Sequence, residues 1–177
     1  IIITTNAGLW RYKIGDTVRF TSKSPYRIKV SGRTKHHINV FGEELIIENA
    51  EEALKKTIAE IPCSIKDYTV APIFMEGKEK GAHEWMIEFG TQPDDVSAFA
   101  KALDYYLQQV NSDYEAKRSN NITLKAPKIH CASPDVFYNW LKQKGKLGGQ
   151  HKIPRLSNSR EYMEELLAIH EEVSLVK

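Results

Sequence analysis

Tyr68-Thr69-Val70-Ala71-Pro72-Ile73-Phe74, a turn holding Gly77 and Gly81, and then Trp85-Met86-Ile87-Glu88-Phe89 form the stretch whose reading decides the fold. Two runs of β-branched and aromatic residues separated by a glycine-containing turn read as a hairpin. Helical signals flank it. Upstream, Ile47, Ala50, Leu54, Ile58 and Ile61 recur at three- and four-residue steps, and Pro62 ends that helix. Downstream, Thr91-Gln92-Pro93-Asp94 has the shape of a capping box, and Val96, Phe99, Leu103, Tyr106, Leu107 and Val110 trace a second apolar face.

Further along, the polar residues 111–121 read as a loop and 122–129 as a third strand. Ser133-Pro134-Asp135 opens a short helix carrying Phe137, Trp140 and Leu141. Residues 145–150 form a flexible loop, and a last helix runs from about Asn158 to about Val173. At the other end, Leu9 to Ile14, Thr17 to Phe20 and Tyr26 to Val30 look extended, with an interruption at Gly15-Asp16 and a turn at Ser31-Gly32-Arg33. His37 to Val40 is a further short strand. The first strands have no following helix and look like the end of another domain. The expected architecture is therefore α+β: helices packed on a small mixed β-sheet, preceded by β-strands of a neighbouring domain. The boundary is placed between 33 and 34, giving units 1–33 and 34–177.

Composition fits this. The 177 residues are 41% apolar and 27% charged, enough for a core of ordinary size and a solvated surface. A net charge of +2 is low for a dedicated nucleic-acid binder. No stretch approaches a membrane span, and the start has no secretory leader. The chain opens on Ile1 rather than Met, which suggests a cut from a longer chain. Cys63 and Cys131, far apart, read as reduced, buried thiols of a cytoplasmic protein. His36-His37 is not a chelating pair, because neighbours on a strand point to opposite faces.

Three segments carry candidate chemistry. In Tyr12-Lys13-Ile14-Gly15-Asp16-Thr17-Val18, a carboxylate after glycine can accept bonds from both hydroxyls of a ribose. Taken alone, the segment favours an ordinary Gly-Asp hairpin turn. In Gly32-Arg33-Thr34-Lys35, a glycine permits a backbone swing, Arg33 offers a planar fork of donors, and Lys35 sits at the expected boundary as a hinge. A solvated basic turn explains the same residues. In Gly148-Gly149-Gln150-His151-Lys152-Ile153-Pro154-Arg155, a glycine-rich loop delivers a lysine able to neutralise a phosphoryl or carboxylate group. A surface loop with scattered charge is the bland counterpart. Glu43-Glu44 and Glu51-Glu52 suit caps and helix surfaces better than an acid pair. The phosphate loop GxxxxGK[ST], the GxSxG elbow and HExxH are absent.

In this order the three segments resemble the C-terminal third of the auxin-responsive Gretchen Hagen family of acyl acid amido synthetases, within the adenylate-forming superfamily. Gly8 to Val18 matches the family's G-L-Y/W-R-Y-x-x-G-D-x-V stretch. Gly32-Arg33-Thr34-Lys35 through Gly42-Glu43-Glu44 resembles the superfamily hinge motif, and Gln150 to Arg155 resembles Q-x-K-x-P-R. Val40-Phe41-Gly42-Glu43 is closest to microbial members and acyl-CoA ligases. The resemblance implies that Asp16 binds the ribose of ATP with Arg33 and Tyr12 nearby. It implies Lys35 as the hinge of a mobile lid, and Lys152 as the catalytic cation reaching the substrate carboxylate and α-phosphate. It further implies ATP and Mg²⁺ as cofactors of the complete enzyme. The partners would be a small carboxylic acid, an amine acceptor such as an amino acid, and the enzyme's own N-terminal domain, with no nucleic acid and no membrane. The isolated piece would be inactive. Transfer to CoA is the alternative. A non-catalytic binding module and an RNA-binding sheet using Trp10, Tyr12 and Phe20 are the rivals of other classes.

Overall fold

The computed structural model describes residues 2–33, 37–77, 79–119, 123–148 and 152–175, and of 31–33 and 172–175 the backbone. Strand β1 (Ile2–Ile3) pairs antiparallel with β2 (Tyr12–Lys13), and β3 (Asp16–Lys23) with β4 (Tyr26–Arg33). The β3–β4 turn contains a cis Ser24–Pro25 peptide. Strand β5 (His37–Ile38) pairs with β6 (Leu45–Ile46), which runs straight into helix α1 (Ile47–Glu60).

The remainder is built on three strands in the order β7-β8-β9. Strand β7 (Ser64–Ile73) is antiparallel to β8 (Ala82–Thr91), and β9 (Lys128–Cys131) is parallel to β8. Parallel neighbours need a crossover, supplied here by α2 (Val96–Val110) and α3 (Ser112–Arg118). Helices α4 (Val136–Gln143) and α5 (Glu161–Leu175) complete the chain.

Alternation along the strands sorts the core onto two faces. Val70, Trp85 and Ile87 pack with Ala50 and Leu54 of α1 and with Phe99, Leu103 and Leu107 of α2. Ala71 and Met86 pack with Phe137 and Trp140 of α4 and with Met163, Leu166 and Ile169 of α5. The α+β expectation holds, with its small mixed sheet. The helices, however, form a layer on each face rather than one. The central strands are apolar on both sides for that reason.

Several local expectations are corrected. The supposed loop 111–121 contains α3. Asn111 caps it by accepting from the Tyr114 amide at 2.8 Å, Asp113 and Glu115 lie in its first turn, and Lys117 and Arg118 in its last. The third strand lies at 128–131, not 122–129; Leu124 makes only an isolated bridge to Gly81, and Ile122 falls outside the described residues. Helix α2 is capped by Asp95, which accepts from the amides of Ser97 and Ala98, because Thr91 still belongs to β8. Helix α5 starts at Glu161; Asn158 is occupied elsewhere, donating to the His37 carbonyl and accepting from the Asn39 amide. Ser31-Gly32-Arg33 does not turn but ends β4, with Arg33 opposite Asp16. Cys63 and Cys131 are free but only half-buried.

Candidate functional site

The segment Lys152 to Ser157 runs beside β7 as an added, strand-like edge. The Val70 amide donates to the Arg155 carbonyl at 2.9 Å, and the Ser157 amide to the Val70 carbonyl at 3.1 Å. The Thr69 hydroxyl donates to the Pro154 carbonyl at 2.6 Å. Its apolar side chains key into both layers: Ile153 joins the α4–α5 cluster and Leu156 the α1–α2 cluster. Proline at 154 has no amide to offer a ladder, and its carbonyl is the group used. Lys152, at the head of this anchored segment, is exposed. The structure thus presents a cation from a fixed backbone. Gln150 and His151 lie outside the described residues.

Arg155 extends the anchoring. Its guanidinium carbon lies 4.7 Å from the centre of the Tyr68 ring, and Nη1 donates to Glu51 Oε1 of α1 at 3.2 Å. Tyr68 in turn stacks on Trp85 with ring centres 5.7 Å apart. Burial pushes the Tyr68 phenol up to about 12. A cleft of about 300 Å³ opens between α1 and β7, with Leu54, Ile65 and Arg155 in its wall.

The first two sequence segments lie on other strands. Asp16 opens β3, half-buried, in register with Arg33 on β4, so these two predicted ribose contacts do share one ladder position. This ladder, rather than a Gly-Asp hairpin turn, is what holds Asp16. Tyr12 is on β2, 53% exposed. Lys35 lies outside the described residues. Trp10, Phe20, Tyr26, Ile28 and Val30 are also exposed, so the aromatics of this region do not enter the core of this chain.

Four acids are buried among the described residues, Glu43, Glu84, Glu88 and Asp104, and none was foreseen. Glu43, expected at a cap or surface, is fully buried. It accepts from the Phe41 amide at 2.7 Å and pairs with His83 Nε2 at 2.9 Å. Burial alone would raise its carboxyl, but the His83 hydrogen bond and charge and two backbone amides outweigh that and hold it below the ordinary range. The turn between β5 and β6 is thereby fastened to β8. Glu84 is 2% exposed on β8 and meets His130 Nε2 at 2.7 Å, Lys128 Nζ at 2.9 Å and Arg160 Nη2 at 2.7 Å. Burial opposes its ionisation; hydrogen bonds from His130, Lys128 and Arg160 win and hold it well below the usual carboxylate range. For Glu84 the available signal was an acid inside an otherwise apolar strand, with Lys128 at its register position on β9; for Glu43, whose partner His83 is 40 residues away, there was none. Among the described residues no group of three His, Cys, Asp or Glu is placed to hold a metal ion. No described helix is long and apolar enough to cross a membrane.

The family model described as the GH3 family C-terminal domain matches residues 48–161, and the GH3 family central domain matches residues 1–33. Among solved structures, "GH3.15 acyl acid amido synthetase" superposes with a TM-score of 0.73 at 18% identity, covering 94% of this chain and 32% of that one. "AtGH3.15 acyl acid amido synthetase in complex with 2,4-DB" gives 0.71 at 18% identity, again covering 94% and 32%. These likenesses show the fold, and the chain spans about a third of those proteins. No curated protein matches it by sequence.

Proposed function

This chain belongs to the GH3 family, and we propose that it is the C-terminal part of an ATP-dependent ligase that activates a carboxylic acid as acyl-AMP and passes the acyl group to an amine. The observation that carries the reading is the order of the two family matches, central then C-terminal, with an exposed lysine on an anchored edge segment inside the second. The unit 1–33 is the end of the preceding domain, and 34–177 is the lid.

In this mechanism, a substrate carboxylate oxygen bonds to the α-phosphorus of ATP and the bond to pyrophosphate breaks. Two anions must approach, and the Lys152 ammonium offsets their repulsion as charge builds on the phosphoryl oxygens. Asp16 accepts the ribose hydroxyls, beside Arg33 and Tyr12, and so orients the nucleotide. Mg²⁺ would enter with the ATP phosphates, for which it supplies further charge neutralisation. An amine nitrogen then bonds to the acyl carbon, the bond to AMP breaks, and the amine loses a proton. Lys35 is the hinge about which the lid turns between the two steps, excluding water from the adenylate. Val40-Phe41-Gly42-Glu43, close to microbial members and acyl-CoA ligases, keeps a thiol acceptor as the second reading.

The test is to supply the complete enzyme with ATP, Mg²⁺ and a panel of carboxylic acids, then add amino acids or CoA and identify the products by mass. Acyl-AMP followed by an amide supports the proposal. A thioester instead of an amide selects the second reading. No acyl-AMP from any acid, in a folded protein that does not bind ATP, removes the proposal in favour of a non-catalytic module.

A further inference from the structure

Among the described residues no hydrogen bond or ion pair holds the exposed Lys152 side chain. What fixes its backbone is concentrated three residues on. Arg155 ties its segment to two elements, β7 and α1, through three contacts. Its carbonyl takes the Val70 amide of β7 at 2.9 Å, its guanidinium lies over the Tyr68 ring of β7 at 4.7 Å, and its Nη1 reaches Glu51 of α1 at 3.2 Å. The intervening residues transmit the hold, because Ile153 is buried and the Pro154 carbonyl accepts from Thr69 at 2.6 Å. Beside this clamp lies the cleft of about 300 Å³, so the guanidinium is held by its partners rather than by close packing on every side. A lysine could provide the charge but not a planar group that covers a ring while donating from its edge to a carboxylate.

We propose that Arg155 is a positioning residue for Lys152, clamping the edge segment to Tyr68 and Glu51 so that the lysine is presented in a fixed place. The inference rests on the role given to Lys152 above. Arg155 touches no reacting atom; it acts through the backbone of 152–155. A displacement of about 1 Å at a reacting group costs on the order of 10²-fold in rate. That is the size of loss expected when the clamp is removed.

The experiment measures ATP–pyrophosphate exchange in the complete enzyme for Lys152→Ala, Arg155→Ala, Arg155→Lys and the Lys152→Ala/Arg155→Ala double variant. Beside it, ATP affinity is measured by equilibrium dialysis and amide hydrogen exchange at Val70 and Ser157 is followed. Arg155→Ala is expected to lower exchange about 10²-fold with ATP affinity unchanged, and to speed hydrogen exchange at Val70 and Ser157 but not at Trp85. Arg155→Lys should recover little. The double variant should be no worse than Lys152→Ala alone, because a residue acting through another has nothing left to add. Parental activity in Arg155→Ala while Lys152→Ala is inactive would overturn the inference, as would a further loss in the double variant. Parental activity in Lys152→Ala would instead remove the role of Lys152. In that case unchanged amide protection in Arg155→Ala would show that the clamp itself does not exist.

Discussion

Asp104→Ala should unseat α3 and cost the fold several kcal/mol. Asp104 takes a bidentate pair from Arg118, Nε to Oδ1 at 2.7 Å and Nη2 to Oδ2 at 2.5 Å, and the Tyr114 hydroxyl donates to Oδ1 at 2.9 Å. The paired side chains are only 9% and 11% exposed, and Tyr114 is 1% exposed. Truncation removes both carboxylate bonds of the guanidinium, which keeps its bond to the Leu124 carbonyl at 2.8 Å but loses its countercharge. Removing one partner of a buried pair costs about 3–5 kcal/mol. Helix α3 has seven residues, far below the length that is stable by itself, so its loss should follow. For a chain of this size that cost corresponds to a fall of about 6–20 °C in Tm. Urea unfolding followed by tryptophan fluorescence, with far-ultraviolet dichroism for helix content, measures it. Arg118→Ala in the same background should restore part of the loss. A cost below about 1 kcal/mol, the value of an exposed pair, would refute the assignment of this triad as what fixes the α2–α3 corner.

Glu84→Gln should flatten the acid limb of the stability profile. The folded-state carboxyl is held below its unfolded value of about 4.3, so its contribution is present above that pH and is lost as pH falls through the folded value; urea midpoints between pH 3 and 7 would check this, and an unchanged acid limb would contradict it. Leu156→Ala, fully buried in the α1–α2 cluster, should cost about 2–5 kcal/mol in the same assay. Asp95→Ala should cost about 1 kcal/mol, because two α2 amides lose their acceptor.

The hairpin 68–89 was legible as two runs of strand-forming residues around a glycine-containing turn, and helices α1 and α2 through long, uninterrupted 3.6-residue periodicity. Pro62 marked the end of α1 as expected. Helix α3 was not legible by apolar periodicity, since Tyr114 is its one buried residue and its stability is polar. Yet Asn111 with acids first and bases last was a usable cap-and-charge signature. The third strand was misplaced because β9 is only four residues long and nowhere fully buried, while the buried Leu124 upstream mimicked it. Asp95 was overlooked as a cap because Thr91-Gln92-Pro93-Asp94 imitated the motif four residues early. At the candidate site, the sequence singled out Lys152 and Asp16 as chemistry-bearing types at motif spacing. It could not show that 152–157 runs along β7, nor that Arg155 meets Glu51 across 104 residues of chain. Glu43 was misjudged for a similar reason: its partner His83 is 40 residues away.

The central claim is that this chain supplies the cation for adenylation. It is tested most directly by ATP–pyrophosphate exchange in the complete enzyme, parent against Lys152→Ala, with urea unfolding as the control for folding. Lys152 is exposed, so its loss should leave stability within about 0.5 kcal/mol. The account predicts acid-dependent exchange in the parent and a drop of at least about 10²-fold in the variant, the loss seen when one charge-stabilising group is removed. Exchange at the parental rate in a folded Lys152→Ala enzyme would contradict it.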